Sequence, residues 1–525
     1  MKNYLLIIPG LFFLASCSSL PPKSNTSFDI NEATLTSLHH AIANGTRCES
    51  VTKSYLDQIK KYDKSKNVNA IILINPNAIK RAKELDERFQ NRGKQLALQC
   101  APVILKDNFD TADLPTEAGA IALKGSIPPD DGFMVKKLRE AGAIIIAKSN
   151  MAEWAFSPYE TISSTHGTTT NVYDVTRVPA GSSGGTASAI AANFGIIGMG
   201  SDTGNSIRGP ASHLSLVGIR STIGMTSRDG IVPLLLNRDI GGPLTRTVED
   251  AAKTFNIIAG YDPADPTTKA AKNTIKKDYT QYLKKTGLKN ARLGVLRQIY
   301  DDTADPEVIA IFNQSLVDLQ KAGARIIDTI EIPDFDKLKT ATGFCSRFRY
   351  DLDNYLASLG EAAPVKNLQE IIDKKIYRKE NAGAMKWAGS VTVKPEEQSP
   401  PCVDVKGDLR RKQFLDAVLA TMEKHQLDAF VYPSWSNPPR KIGDLTSPHG
   451  NNSPVIAPHT GQPAITVPMG FTQTGLPTGL QFLAAPFKEH VLFQFAYAYE
   501  QATKHRKPPK GFEAMSQQMN EGTSE

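Results

Sequence analysis

The sequence predicts an α/β protein in which helices cover both faces of a β-sheet. Segments with helical periodicity alternate with short apolar runs along most of the chain, and this alternation is typical of the α/β class. The runs at residues 102–106 and 142–148 are apolar up to a terminal lysine, as expected of strands that are buried on both faces. With 525 residues, 40% of them hydrophobic, the chain is long enough to bury a large core.

The helical periodicity and the apolar runs predict the following helices and strands along the chain. The first helix has Leu35, Leu38 and Ile42 on one face and ends near Gly45, and the second begins at Ser50. Residues 290–425 are more helical and more charged, and we interpret them as a cap region on the same core. Further strands are predicted at residues 68–74, 102–106, 142–148, 195–200, 429–432 and 463–468, and further helices at residues 133–141 and 186–193.

The first 16 residues have the features of a signal peptide. Lys2 provides a short cationic segment, and the apolar run at residues 4–14 is too short to span a bilayer. The residues that follow, Leu14-Ala15-Ser16-Cys17, resemble a bacterial lipobox. This resemblance implies cleavage before Cys17 and lipidation of that cysteine. Ordinary signal cleavage beside an incidental cysteine is the alternative.

Residues 17–28 are interpreted as a flexible tether between the lipid and the folded protein. Ser18 replaces the aspartate that usually signals retention in the inner membrane, so the periplasmic face of the outer membrane of a bacterial cell envelope is favoured. No later run of about 18 apolar residues exists in the sequence. We therefore expect the protein to contact a membrane only through its lipid anchor.

Composition argues against nucleic-acid partners and limits the redox chemistry. The net charge of +7 is spread along the chain without a basic arm. Apart from Cys17, the cysteines are Cys48, Cys100, Cys345 and Cys402. In an oxidising compartment these four allow three disulfide pairings, of which Cys48–Cys100 with Cys345–Cys402 is the most local, and four free thiols remain the alternative.

Three stretches, at residues 102–108, 181–185 and 201–208, supply the groups that acyl transfer from an amide requires. Lys106 ends a predicted strand, and 24 residues separate Ser182 from Ser206. A helix of about 12 residues rises about 18 Å, and a strand of about six residues returns about 20 Å. The two serines are therefore expected at the same end of the sheet as Lys106, where a proton can pass from Ser206 through Ser182 to the lysine.

This relay requires an uncharged lysine. A free lysine has a pKa of about 10.4, so deprotonating it at pH 7 costs about 4.6 kcal/mol. The apolar residues 102–105, which precede the lysine in the predicted strand, predict that Lys106 is buried, and burial lowers its pKa. The backbone N–H groups of the next turn form the predicted oxyanion hole, which comprises Thr203, Gly204, Asn205 and Ser206. Asn205 tolerates a left-handed backbone conformation in such a turn.

These motifs resemble the amidase signature family, with matches from about residue 30 to about residue 510. Residues 179–185 resemble the family's Pro-Gly-Gly-Ser-Ser-Gly-Gly, and residues 208–212, 217–222, 242–251 and 475–481 extend the likeness. The resemblance implies Lys106 as base, Ser182 as a bridging serine that follows a cis peptide bond, and Ser206 as nucleophile. It also implies no cofactor.

The resemblance further implies the amidase signature fold, a single large domain at residues 29–515 with a twisted mixed sheet, followed by a disordered tail at 516–525. The family usually has Gly-Gly before the nucleophile, whereas this chain has Gly204-Asn205. Leaving-group preference is therefore open. Phe156 and Tyr159 are candidates for one pocket wall, although a core role suits them equally.

The same motifs permit other interpretations. Residues 181–185 fit Gly-x-Ser-x-Gly, which would make Ser183 the nucleophile of an α/β-hydrolase with Asp428 and His459. The preceding segment is a poor strand because Pro179 interrupts it. A second alternative is a catalytically inactive lipoprotein that binds amides. Glycines near residue 200 do not precede a helix as a nucleotide loop requires, and the histidines show no metal-ligand spacing. The substrate can be a small amide, a peptide amide or a fatty amide, and oligomeric state is open.

Overall fold

The computed structural model describes residues 28–514. The predicted signal peptide, Cys17, the tether up to residue 27 and the tail at 516–525 lie outside the described residues. Among the helices of residues 28–514, none combines the length and the hydropathy needed to span a bilayer.

The centre of the molecule is a mixed sheet of eleven strands, which confirms the predicted fold class. The strand order is β1-β3-β2-β6-β8-β7-β12-β13-β11-β9-β10, and β4 pairs with β5 in a separate hairpin. The strands are β1 Ile71–Ile74, β2 Pro102–Lys106, β3 Ile144–Ser149, β4 Ile162–Ser163, β5 Gly167–Thr168, β6 Ile197–Asp202, β7 Val217–Arg220, β8 Ile240–Thr245, β9 Arg292–Val295, β10 Arg325–Ile327, β11 Ala429–Pro433, β12 Ala464–Phe471 and β13 Pro477–Leu483.

Helices flank this sheet in a single domain. The first begins after Thr34, whose hydroxyl caps the backbone N–H of Ser37, and it buries the predicted apolar face. The α-helices within residues 28–514 are α1 Leu35–Ala43, α2 Cys48–Tyr62, α3 Ala78–Arg92, α4 Phe133–Glu140, α5 Gly184–Ala191, α6 Arg208–His213, α7 Val248–Ile258, α8 Pro306–Lys321, α9 Phe335–Ala341, α10 Phe348–Ser358, α11 Leu368–Lys374, α12 Ala382–Ser390, α13 Leu409–Lys424, α14 Ala457–Thr460 and α15 Glu489–Thr503.

The arrangement of β2, α5 and β6 determines where the site lies. Strands β2 and β6 are parallel neighbours, with Leu105 opposite Met199, and α5 connects the second motif to β6. Every residue of α5 is buried, and a Cβ atom added at Gly198 would lie 2.6 Å from Thr186 Cγ2. Small residues thus let α5 pack closely on the sheet, and its return strand ends beside Lys106.

The region predicted as a cap contains both sheet and added helices. Strands β9 and β10 of this region belong to the edge of the central sheet. Helices α10, α11 and α12 instead form a separate hydrophobic cluster with residues 118–123 and 151–155, in which Trp154 packs edge-on against Phe348. These three helices therefore cover the chain segment that precedes Ser182.

Two disulfides join the four cysteines of the described chain. Cys48 pairs with Cys100 at a Cα–Cα distance of 5.1 Å, and Cys345 pairs with Cys402 at 5.7 Å. The local pairing expected from the sequence is thus the one in the structure, and the alternative of four free thiols is wrong.

Candidate active site

Lys106 ends β2 with its side chain fully buried. Its Nζ atom lies 2.6 Å from Ser182 Oγ and 2.7 Å from Ser201 Oγ, with Ser201 O at 3.5 Å. Asn108 donates a hydrogen bond to Ser201 Oγ at 3.0 Å, which orients that hydroxyl. The structure therefore brings Lys106 and Ser182 together as predicted, and it adds Ser201 as a second partner of the lysine.

The surroundings of Lys106 favour its neutral form. Burial lowers the pKa of Lys106 to about 7, against the opposing pull of Asp239 and Asp202. A neutral amine has two N–H donors and one lone pair. In the structure the amine donates toward Ser182 Oγ and both oxygens of Ser201. When the amine is uncharged, its lone pair is available to accept the proton of Ser182.

Ser182 follows a cis peptide bond from Gly181, as the family resemblance implied. It is fully buried just before α5. The neighbouring Ser183 also faces inward and donates to Ser201 O at 3.2 Å. The two adjacent serines therefore have different partners, since only Ser182 contacts the lysine.

The turn between β6 and α6 presents a row of free backbone donors. Within residues 28–514, the N–H groups of residues 203–206 have no hydrogen-bond partner. Asp202 accepts from the N–H of Ile207 and from the side chain of Arg208, whose Nη2 atom also donates to Gly204 O at 2.5 Å. The carbonyl oxygen of Gly204 is thus held by a guanidinium, while the four N–H groups remain free to bind an anion.

Electrostatic contacts fix this turn firmly. Burial would raise the pKa of Asp202, but Arg208 and Arg220 together lower it to about 2, so it is ionised. Thr203 donates its hydroxyl to Asp239, which also accepts from the backbone N–H groups of Leu234 and Leu235. Two buried carboxylates therefore hold the two ends of the turn.

The conformation of Asn205 differs from the sequence-based expectation. Neither Gly204 nor Asn205 has a positive φ, so tolerance of a left-handed conformation is not the reason for asparagine here. Its side chain instead donates to Pro158 O and Gly181 O, both at 3.2 Å. Asn205 therefore ties the residue before Ser206 to the residue before Ser182.

Ser206 lies in the wall of a cavity of about 390 Å³. Within the described chain its hydroxyl has no hydrogen-bond partner, so the predicted contact between Ser206 and Ser182 is not made in this structure. Phe156 and Tyr159 lie in the same wall, as predicted, and none of the lining residues is an Asp, Glu, Lys or Arg. The lining comprises Ala155, Phe156, Pro158, Tyr159, Thr203, Gly204, Asn205, Ser206, Leu234, Leu235, Phe344, Phe348, Ala384, Trp387, Ala388, His449, Asn451 and Pro454.

Comparison with known proteins agrees with the fold and the motifs. The family model described as Amidase matches residues 50–493. The chain belongs to the amidase family. A protein of Arabidopsis thaliana described as a probable amidase is 33% identical, over 96% of this chain and 97% of its own. A glutamyl-tRNA(Gln) amidotransferase subunit of Thermoanaerobacter pseudethanolicus is 34% identical, over 88% of this chain and 94% of its own.

A solved structure is also closely similar. The native peptide amidase of Stenotrophomonas maltophilia has a TM-score of 0.82 and 32% identity, and the match covers 92% of this chain and 99% of that one. This chain therefore shares nearly its whole described fold with that protein.

The alternative triad of an α/β-hydrolase is not formed in the described chain. Ser183 donates to Ser201 O, Asp428 accepts from the backbone N–H of Arg292, and His459 Nδ1 contacts Thr342 O at 2.6 Å. No hydrogen bond within residues 28–514 joins any two of the three residues. The interpretation of Ser183 as the elbow nucleophile is therefore wrong.

Several residues that build the site carry no local signal in the sequence. Ser201 stands one position beyond the predicted strand at 195–200, and only the pairing of β2 with β6 places it beside Lys106. Phe344 reaches the cavity because Arg238 lies over its ring at 4.4 Å and donates to the carbonyl oxygen of Thr342. Among residues 28–514, no group of three or more His, Cys, Asp or Glu side chains is arranged to hold a metal ion.

Proposed function

We propose that this chain is a serine amidase that hydrolyses a C–N amide bond through an acyl-enzyme on Ser206. One observation carries the proposal. A buried lysine with a pKa of about 7 contacts Ser182, and the unpartnered hydroxyl of Ser206 stands at the end of a row of free N–H groups. These are a base, a proton bridge, a nucleophile and an oxyanion hole.

The lysine and the two serines would act as a proton relay. Ser206 Oγ attacks the amide carbonyl carbon while its proton passes to Ser182 Oγ, and the Ser182 proton passes to the neutral amine of Lys106. The carbonyl oxygen becomes an oxyanion, which the N–H groups of residues 203–206 stabilise. The protons then move in the reverse direction to the leaving nitrogen, and the C–N bond breaks to release ammonia or an amine.

Deacylation would use the same groups. Water attacks the acyl carbon on Ser206, and its proton moves through Ser182 to Lys106, while the donor turn again stabilises the oxyanion. The bond to Ser206 Oγ then breaks, the relay reprotonates this oxygen, and the free carboxylic acid leaves. Each step needs the lysine uncharged at the start, so its burial is essential to the mechanism.

The cavity supports an uncharged, largely apolar acyl group as the substrate. Its walls carry Phe156, Phe344, Phe348 and Trp387, and no ionised side chain lines it. A peptide with a C-terminal amide and an apolar or aromatic last residue fits this lining, as does an aryl or fatty amide. Free glutamine fits poorly, because its α-ammonium and α-carboxylate would be desolvated without a counter-charge.

The location of the amidase is proposed from its N-terminal sequence. Residues 14–17 support lipidation of Cys17, and Ser18 supports anchoring at the periplasmic face of the outer membrane. Such an enzyme would reach exported amides and not the tRNA-linked reactions of the cytoplasm. Membrane fractionation of the full chain and of Cys17→Ala tests this. Release of only the variant into the soluble fraction is expected, and equal release of both would refute the anchor.

Activity is tested with a panel of amides that differ in acyl length, aromaticity and charge. The wild type should hydrolyse uncharged aromatic and aliphatic amides and react covalently with a fluorophosphonate probe, whereas Ser206→Ala should do neither. Ser183→Ala provides the matched control, since this serine is adjacent to Ser182 but does not contact the lysine. A wild type that binds amides yet neither hydrolyses them nor reacts with the probe would refute the enzyme and support the binding-only alternative.

A further inference from the structure

The side chain of Asn205 joins three segments of the site. It is almost fully buried, at 1% exposure, and its Nδ2 atom donates to Gly181 O and Pro158 O, both at 3.2 Å. Gly181 precedes the bridging serine, and Pro158 lies in the cavity wall beside Phe156 and Tyr159. Because Asn205 directly precedes Ser206, its side-chain amide connects the turn that carries Ser206 to the peptide before Ser182 and to the cavity wall at Pro158.

The packing around this amide is tight. A Cβ atom added at Gly209 would lie 2.6 Å from Asn205 Nδ2, so the first turn of α6 accommodates the amide only because it has no side chain there. A Cβ atom added at Gly181 would clash with the backbone oxygen atoms of Ser157 and Glu160. The peptide before Ser182 is thus enclosed on one side by residues 157–160 and bonded on the other by Asn205.

We propose that Asn205 is a positioning residue that sets the distance between Ser182 and Ser206. This inference rests on the proposed relay through these two serines. The amide is covalently part of the residue before Ser206 and hydrogen-bonds the residue before Ser182, so movement of one peptide moves the other. A displacement of about 1 Å at a reacting group can reduce turnover about 100-fold. The amide also bonds Pro158 in the cavity wall, but its bond to Gly181 O acts on the relay, so its loss should lower kcat more than it changes KM.

Two variants separate hydrogen bonding from packing. Asn205→Gly removes the side chain, and Asn205→Asp keeps its size but replaces the donor with an acceptor that faces two carbonyl oxygens. We expect Asn205→Gly to lower kcat about 10- to 100-fold with KM within about twofold. Asn205→Asp should lower kcat at least as much as Asn205→Gly. A residue that only fills space would show the opposite order, because aspartate keeps the size of asparagine.

Asn171 provides the control for stability. It is a fully buried asparagine whose Nδ2 atom also bridges two carbonyl oxygens, of Val178 and His213, outside the cavity. Asn171→Gly and Asn171→Asp should lower Tm as much as the Asn205 pair, yet retain kcat and the rate of Ser206 labelling by the fluorophosphonate.

Turnover of the wild type distinguishes this inference from the proposed function. If the wild type hydrolyses amides and Asn205→Gly or Asn205→Asp keeps kcat within about twofold, the positioning role is refuted and the function stands. Equal kcat losses in the Asn171 and Asn205 variants would also refute it, since lost stability would then explain both. An inactive, unlabelled wild type would refute the function itself.

Discussion

Replacing Lys106 with methionine should stabilise the protein while abolishing its activity. In the unfolded chain the lysine is charged below its ordinary pKa of 10.5, whereas burial lowers its folded pKa to about 7. Folding at pH 7 therefore releases about half a proton on average, and the lowered pKa costs about 4 kcal/mol of stability. Methionine has a similar length and no charge, so this cost disappears in Lys106→Met.

Part of the gain is offset by lost hydrogen bonds. The hydroxyl groups of Ser182 and Ser201 each lose their contact with the amine, at about 1–3 kcal/mol in total. The variant should then be more stable than the wild type by roughly 1–3 kcal/mol at pH 7.

The pH dependence of this stability difference tests whether the neutral lysine is its cause. Lys106 has one pKa in the folded protein and a higher one in the unfolded chain. At pH values between the two, the unfolded wild type binds one more proton than the folded wild type. The stability of the wild type therefore rises with pH relative to that of the variant. The unfolding free energy of Lys106→Met minus that of the wild type should therefore fall by about 1.4 kcal/mol per pH unit across pH 8–10. Denaturant unfolding at each pH measures it, with the exposed Lys94→Met as control for replacing a surface ammonium. A difference that stays flat from pH 7 to pH 10 would refute the neutral lysine.

Three further predictions follow from the same geometry. Below about pH 7 the kcat/KM of the wild type should fall tenfold per pH unit, because Lys106 becomes protonated. A pH profile that does not fall on the acid side would contradict the role of Lys106 as base. Ser201→Ala should lower kcat about 10- to 100-fold by releasing Lys106 Nζ, and unchanged kcat and pH profile would make Ser201 dispensable. Trp387→Ala should raise KM about tenfold for aromatic amides but little for acetamide, and an equal effect on both would place Trp387, which is 50% exposed, outside the acyl site.

Much of the site was predictable because its signals are local. The apolar run of β2 predicts burial up to Lys106. The helix-plus-strand length predicts that both serines return to one edge of the sheet, although α5 has eight residues and not the roughly 12 assumed. The disulfide pairing also followed from proximity along the chain. Periodicity and segment length act over ten to thirty residues, a range over which a sequence alone is informative.

The cavity was not predictable in this way. Apart from Phe156 and Tyr159, its aromatic walls come from residues 344, 348 and 387. Residues 348 and 387 reach the cavity only after α10 and α12 pack on the segment before Ser182, and Arg238 lies over the ring of Phe344. Asn205 was expected to matter for its backbone, yet its importance lies in two side-chain hydrogen bonds.

The sequence by itself determined the fold class and the approximate positions of six strands, and it supplied the proposed reactive groups, because these depend on the order of neighbouring residues. Only the tertiary structure decided which hydroxyl holds the amine, which donors stay free and what shape of acyl group is admitted. Those features depend on distances between segments far apart in the chain, and such distances are set by the packing of the whole core.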